Sequence, residues 1–203
     1  MTWCFSGSRS GSGGVKAIGL STGPSDQDLV LLMRRRQPGA FTEVYRRHHE
    51  RIWRFLQRLT GHRALGEDLF QDTWLAAARN AHRLREDSQL LPWLYTIARN
   101  KHRNSLRFAA MEQRRRDQAG PPEPPAAEAD VEARAQAAQV AEAFPRLTEA
   151  HREVLLLCLV EGLDSETAGR VLALRPEAVR KRLSRARAEL ARLAGFPQGV
   201  NHE

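Results

Sequence analysis

Pro121, Pro122, Pro124 and Pro125 fall within five residues, directly after Gly120, and no helix or central strand can run through them. A proline lacks the backbone donor, and its ring clashes with the preceding turn. The chain is therefore read as two folded blocks joined by a Pro/Ala-rich linker over 117–129. Drawn out as polyproline II, that linker would span roughly 40 Å, about one turn of duplex DNA, so two binding units could sit on separated sites. Charge follows the same division. Residues 1–118 carry a net +10, residues 119–145 a net −4 and residues 146–203 a net +2, within a 203-residue chain of formal charge +8. Two basic blocks flanking an acidic joint favour a polyanionic partner, although a solvated surface explains any single Arg run equally well.

Apolar residues recur at helical spacing throughout, and no segment alternates like a strand, so the fold expected is all-α. Ser25 followed by Asp28 reads as the start of a short helix that Pro38-Gly39 ends. Phe41, Val44, Tyr45, His48, Ile52, Phe55, Leu56 and Leu59 form one face of a long helix closed by Gly61. A third helix is expected over 65–81 and a fourth from Pro92 towards Gln113. Past the linker, an Ala-rich helix from 130 breaks at Pro145, and an apolar helix from Thr148 to Glu161 stops at Gly162. The domains expected are a Ser/Gly-rich tail over 1–24, a four-helix unit over 25–116, a second unit over 130–195 and a tail over 196–203.

Several classes are excluded. The longest apolar run, Val154 to Val160, is seven residues, against roughly 20 for a membrane-spanning helix. The first 24 residues lack the continuous apolar run of a secretory signal, so a cytoplasmic location is expected, without membrane insertion. Cys4 and Cys158 are too far apart in sequence to suggest a disulfide framework or a zinc site. His48 and His49 are adjacent and point to different helix faces, and Asp68 and Asp72 have no histidine beside them at ligand spacing. No phosphate-binding glycine loop, paired acid/base carboxylates or nucleophile arrangement is present. Neither catalysis nor a metal or other cofactor is expected.

Two surfaces carry the functional reading. Asp164 or Ser165 can cap a short helix to Leu172, and Pro176 opens another running to Ala194, which is the helix-turn-helix outline. In its second helix Val179, Leu183, Ala186, Leu190 and Leu193 share a buried stripe, while Glu177, Lys181, Ser184, Arg185 and Ala188 project oppositely. An α-helix fits the major groove, its N-terminal turns reach base edges, and Arg or Lys contacts to phosphate fix its register. Arg175, Arg180, Lys181 and Arg185 suit both jobs, and packing of an Arg-rich helix on a neighbour is the plainer alternative. Glu177 fits either acceptance from cytosine or a carboxylate favoured at a helix N-terminus. On the third helix Asp68, Gln71, Asp72 and Leu75 line up at i, i+3, i+4 and i+7, opposite Leu69, Phe70, Thr73, Trp74 and Ala77. An acidic stripe ending in an exposed Leu suits a protein contact, and an ordinary solvated face accounts for it too.

These runs resemble a family. Glu67-Asp68-Leu69-Phe70-Gln71-Asp72-Thr73-Trp74-Leu75, then Trp93-Leu94-Tyr95-Thr96-Ile97-Ala98-Arg99-Asn100, then Arg152-Glu153-Val154-Leu155-Leu156-Leu157 with Glu161-Gly162-Leu163 and Arg182-Leu183-Ser184-Arg185-Ala186-Arg187, are similar to bacterial sigma factors of the extracytoplasmic-function type, which keep only regions two and four. The blocks occur in family order over roughly residues 26 to 194. The resemblance implies a four-helix sigma region 2 and a helix-turn-helix sigma region 4. It implies that Asp68, Gln71, Asp72 and Leu75 dock on the clamp helices of core RNA polymerase, with the flap as a further contact. By the same resemblance Arg83, Arg85, Arg99, Asn100, Arg103 and Arg107 read the −10 element of promoter DNA and help melt it, and Trp93 either stacks a base or lies in the core. Arg175, Glu177, Arg180, Lys181, Ser184 and Arg185 would read the −35 element as duplex. An anti-sigma protein is a plausible further partner. The chain departs from the family at Ala168-Gly169, where Ile-Ala is usual, at Ala173, where a turn glycine is usual, and at Glu177-Ala178, where a small polar pair is usual. Gly169 is expected to lower helix propensity by about 1 kcal/mol, making this unit less stable than usual. The alternative function is a stand-alone helix-turn-helix regulator that binds duplex DNA without polymerase.

Overall fold

The computed structural model describes residues 23–116 and 133–196, with the side chains of 113–116 and 133–137 left aside. The linker reading over 117–129 and most of both tails lie outside the described residues. The described residues are helical, without strands: α1 (Asp26–Arg34), α2 (Ala40–Thr60), α3 (Arg63–Asn80), α4 (Leu90–Arg116), α5 (Ala133–Ala143), α6 (Glu149–Leu155), α7 (Ser165–Leu172) and α8 (Pro176–Leu193). Their ends follow local chemistry. Ser25 and Asp28 close a reciprocal capping box at α1. Gly61, at φ 65°, ends α2 by donating its N–H to Gln57 O, a left-handed cap that costs a glycine nothing. The fourth helix starts two residues before Pro92, which is tolerated in the first turn because that N–H has no intrahelical partner anyway.

In the first unit α2 packs against α3 and α4, and α1 closes over α2. Leu29, Val30, Val44, Ile52, Phe55, Leu56, Leu59, Leu94, Tyr95 and Ala98 are buried, each large apolar side chain contributing about 1.5–3 kcal/mol relative to exposure. Phe55 and Tyr95 lie 5.0 Å apart between ring centroids. Trp74 meets Phe41 and Tyr45 edge-on at 5.9 and 4.8 Å. Trp93 is half-buried and packed on this core. His48 and His49 do diverge: His48 is buried beside Asp26 at 3.1 Å, and His49 stacks on Tyr45.

In the second unit α8 crosses α6 and α7 over Val154, Leu155, Leu157, Ala168, Val171, Leu172, Val179 and Ala186. Two backbone features depart from the sequence reading. The helix expected over 148–161 is α only to Leu155 and then widens into a π-turn at Leu156–Val160, closed by Glu161 N donating to Leu156 O at 2.9 Å. Gly169 is more than a loss of helix propensity. A Cβ there would stand 2.6 Å from the carbonyl oxygen of Leu174, so the missing side chain is what lets the turn fold back onto α7. Ala173 supplies the left-handed turn residue itself, at φ 55°. The two units pack on each other, with α7 along α4.

Candidate nucleic-acid interface

The helix-turn-helix is set by Asp164, whose carboxylate accepts from Glu166 N and Thr167 N at 2.9 and 2.8 Å and caps α7. These bonds hold the Asp164 carboxyl below the usual carboxylate range. Val179 and Ala186 are fully buried, and Leu183, Leu190 and Leu193 are partly so, which orients the rest of α8 outward. Arg175, Glu177, Arg180, Lys181, Ser184 and Arg185 all lie on the solvent side of this stripe, with Arg180, Lys181 and Arg185 exposed. Arg175 stands at the N-cap, while Arg180 donates to Glu177 at 3.2 Å across one turn. That bond occupies one oxygen of Glu177 and leaves its other oxygen for a second donor.

On α3 the expected stripe faces outward. Asp68, Gln71, Asp72 and Leu75 are exposed, Leu75 at 54%, above buried Leu69, Thr73, Trp74 and Ala77. Lys101 of α4 reaches Asp72 at 3.0 Å, a contact that sequence spacing did not reveal. It fixes one carboxylate of the stripe and brings the edge of α4 next to it.

The third group divides. Arg83 and Arg85 are exposed in the connection after α3, Arg85 paired with Asp87 at 3.0 Å. Asn100, Arg103 and Arg107 form an exposed row on α4. Arg99 does not join them. It is 5% exposed, its Nε lies 2.9 Å from Glu153 of α6, and its Nη1 donates to Val171 O at 3.3 Å. The Arg99–Glu153 contact is close but off-line for a hydrogen bond, so it acts as a charge pair. Next to it His102 faces Glu149 at 3.4 Å. Burial, and the nearby Arg152, push the His102 imidazole down to about 4, so it is neutral at pH 7. Burial and Glu153 push the Glu149 carboxyl up. Glu161 completes the row, accepting from Arg51 at 3.2 Å and from the Tyr95 hydroxyl.

From sequence, Glu153 and Glu161 stand only within the region-four blocks, and no role falls to them or to Glu149, Arg51 or His102. The signal was present: Tyr95, Arg99 and His102 repeat along the α4 face that also carries Leu94 and Ala98, and Glu153 sits inside an apolar run. A charge on a buried stripe asks for a partner. Among the described residues no group of His, Cys, Asp and Glu could hold a metal ion, and no helix is long and apolar enough to cross a membrane.

Comparison with known proteins matches both units to one family. The profile of Sigma-70 region 2 matches residues 44–111 and that of Sigma-70, region 4 matches residues 137–190. The chain is 33% identical over 159 residues to the RNA polymerase sigma factor CarQ of Myxococcus xanthus, covering 77% of this chain and 90% of that one. It is 32% identical over 184 residues to the ECF RNA polymerase sigma factor SigM of Mycobacterium tuberculosis, covering 87% and 89%. Among solved structures, CnrH bound to the cytosolic domain of CnrY aligns with a TM-score of 0.63 at 26% identity, over 84% of this chain and 97% of that one. The sigma factor RpoE of Bartonella quintana, bound to the anti-sigma factor NepR, shares the fold with a TM-score of 0.67 at 23% identity, over 79% and 99%. These matches over both units place the chain among the extracytoplasmic-function RNA polymerase sigma factors.

Proposed function

We infer that this chain binds core RNA polymerase, directs it to one class of promoter and helps open the start region. The observation that carries this reading is the pairing of two unlike surfaces in one chain. A lone duplex binder needs the face of α8 but has no use for an exposed acidic stripe ending in Leu75. A polymerase subunit needs both.

In this reading Asp68, Gln71, Asp72 and Leu75 take the clamp helices of polymerase, and the second unit meets the flap. Arg83, Arg85, Asn100, Arg103 and Arg107, with Arg99 once uncovered, track the unstacked −10 strand; basic side chains along a groove suit a single-stranded backbone. Arg175, Glu177, Arg180, Lys181, Ser184 and Arg185 take the −35 duplex. The exposure of Lys181 and Arg185 on α8 supports a groove-facing role for both. The two units are proposed as functional domains over 25–116 and 130–195, linked over 117–129 and flanked by tails. Sigma factors are generally non-catalytic, and we assign no reaction, cofactor or metal to this chain. Its place of action is where polymerase works, the cytoplasm. CnrH is bound to a domain of a second protein, which supports an anti-sigma protein as a further partner here.

Run-off transcription from pooled genomic fragments, with bacterial core polymerase and with or without the purified chain, tests the reading. Discrete new transcripts sharing upstream sequence at two positions support it. Absence of transcripts, together with no retention on core polymerase, would leave the stand-alone duplex regulator. Arg180→Ala and Lys181→Ala should each weaken promoter binding several-fold and lower the salt slope by about 1 for each phosphate no longer neutralised. A slope unchanged in both variants removes them from the interface.

A further inference from the structure

The second unit leaves an apolar pair uncovered. Leu159 and Val160, in the π-turn after α6, are 48% and 49% exposed, whereas Leu155, Leu156 and Leu157 just before them are buried. The pair borders a groove of about 480 Å³ walled by Val140 of α5, Phe144, Leu156 and Leu190 of α8, with Arg58 of α2 at its rim. Single apolar side chains on a surface are ordinary; an adjacent pair on the lip of an apolar groove is where another apolar group fits.

The described chain starts beside this groove. Pro24 O accepts from Arg47 Nη2 at 2.8 Å, and Arg51, one turn further along α2, reaches Glu161, the residue after Val160. Asp26 and Gln27 share a second cavity with Gly162 and Leu163. Arg47, Arg51 and Arg58 stand on one face of α2, at offsets of four and eleven residues. At 1.5 Å per residue the groove therefore lies between about 6 and 17 Å from Arg47 along that face.

The residues ahead of Gly23 suit that distance. Positions 15–20 read Val-Lys-Ala-Ile-Gly-Leu, the apolar stretch nearest to Gly23. Leu20 and Ile18, three and five positions before it, are reached at about 10 and 17 Å of extended chain. In that conformation the two side chains point to one side, and Ala17 and Gly19 are small enough for the backbone to lie close to a surface. Other occupants fit less well. Residues 197–203 bring no apolar side chain larger than Val200, and two copies of a chain of formal charge +8 repel each other.

We propose that residues 15–20 of this chain cover the groove, with Ile18 and Leu20 seated against Leu159 and Val160, as a removable apolar cover of the second unit. Any apolar partner of that face has to displace it first. The cover goes beyond the sigma-factor reading and does not depend on it.

The test uses the full chain with Cys4→Ser and Cys158→Ala, carrying Ile18→Cys and Val160→Cys. Dibromobimane, which becomes fluorescent once both of its arms have alkylated thiols, reads their proximity. A comparison chain carries Ser12→Cys with Val160→Cys. Without docking, position 18 would bridge only about threefold faster than position 12, because contact falls as the −3/2 power of length. The cover predicts bridging at least thirtyfold faster, and a slowing of at least tenfold when Leu20→Asp is added, since a carboxylate resists an apolar groove. A ratio near threefold, or a rate that Leu20→Asp leaves unchanged, overturns it. Bridging between two chains, seen as a covalent dimer on a denaturing gel, assigns the groove to a second copy and overturns it as well. A second measurement needs no cysteine. Ile18→Asp with Leu20→Asp should raise the fluorescence of anilinonaphthalene sulfonate, an apolar dye, at least threefold with helical circular dichroism unchanged. Both substitutions precede α1 and leave the helical cores alone; equal dye binding overturns the cover. Neither measurement involves polymerase or promoter, so its outcome is separate from that of run-off transcription.

Discussion

In the unit of α1–α4 the rings of Phe55 and Tyr95 interlock at 5.0 Å, and Trp74, Phe41, Tyr45 and Phe70 form a continuous aromatic cluster. In the unit of α5–α8 no aromatic ring is fully buried among the described residues, and Leu157 is its bulkiest fully buried side chain. What this second unit has instead is close backbone fit: a π-turn, a left-handed Ala173 and a contact that only glycine permits at Gly169. The first unit is secured by side-chain volume and tolerates change on its surface. The second is secured by backbone approach and tolerates little change at particular positions, whatever their exposure.

The largest effect expected separates binding from stability in the first unit. Asp72 is exposed and pairs with Lys101, so Asp72→Arg removes a surface pair of the kind worth about 0–1 kcal/mol. Its thermal midpoint should barely move. Retention on core polymerase should fall at least a hundredfold, about 2.7 kcal/mol. Undiminished retention in a pull-down would remove the α3 stripe from the polymerase contact, and a collapsed midpoint would erase the claimed robustness of this unit.

Gly169→Ala puts the opposite behaviour to the test. Helix propensity alone predicts a gain of about 1 kcal/mol. The Cβ, however, would meet the Leu174 carbonyl at 2.6 Å, and forcing a packed backbone apart costs about 1–3 kcal/mol. A net loss of about 1 kcal/mol, at most about 2, in the melt of the second unit is expected. A rise in midpoint would show that the turn relaxes freely and that the backbone-fit account is wrong.

The contrast also explains what sequence made legible. Helix spacing is a local property, so the helices, the α3 stripe and the outward face of α8 could be read from residue order. The exposure of Asp72, Leu75, Lys181 and Arg185 followed from which neighbours were apolar. The burial of Arg99 was not legible because its environment is supplied by Glu153 and Val171, remote in sequence. Gly169 failed for a related reason: propensity treats it as a helical residue, whereas its role is set by a carbonyl five residues on.

Where the two units meet, acidity should act on both at once. His102 is 2% exposed and held down to about 4 by burial and Arg152. An imidazole whose pKa is lowered on folding binds fewer protons folded than unfolded between about 6.5 and 4. Stability is therefore intact above about pH 6.5 and is lost as pH falls towards 4. Glu149, pushed up by burial and Glu153 among Arg103, Arg152 and Arg99, works in the other direction over part of that range. The net loss expected by pH 4.5 is on the order of 1–2 kcal/mol, read as a fall in the thermal midpoint. His102→Gln should flatten the profile; an identical profile in that variant would assign the acid response to other groups.

The smallest effect concerns Ala173, and its sign is the informative part. At φ 55° its Cβ crowds the adjoining carbonyl, a cost of about 1 kcal/mol that glycine escapes. Against this, glycine gives the unfolded chain more freedom, worth about 0.4–1 kcal/mol. The Ala173 N–H donates to Gly169 O, and so does Leu174 N at 2.9 Å, so both residues of the turn depend on the same carbonyl. Ala173→Gly keeps these bonds and should raise the midpoint of the second unit slightly, by at most about 0.5 kcal/mol. Ala173→Asn, which also tolerates the left-handed region, should come close to it. A fall in both variants would mean that the Ala173 methyl packs usefully. The close fit of this unit would then extend to a side chain at the turn, and the division between a unit held by volume and one held by backbone would need redrawing at that residue.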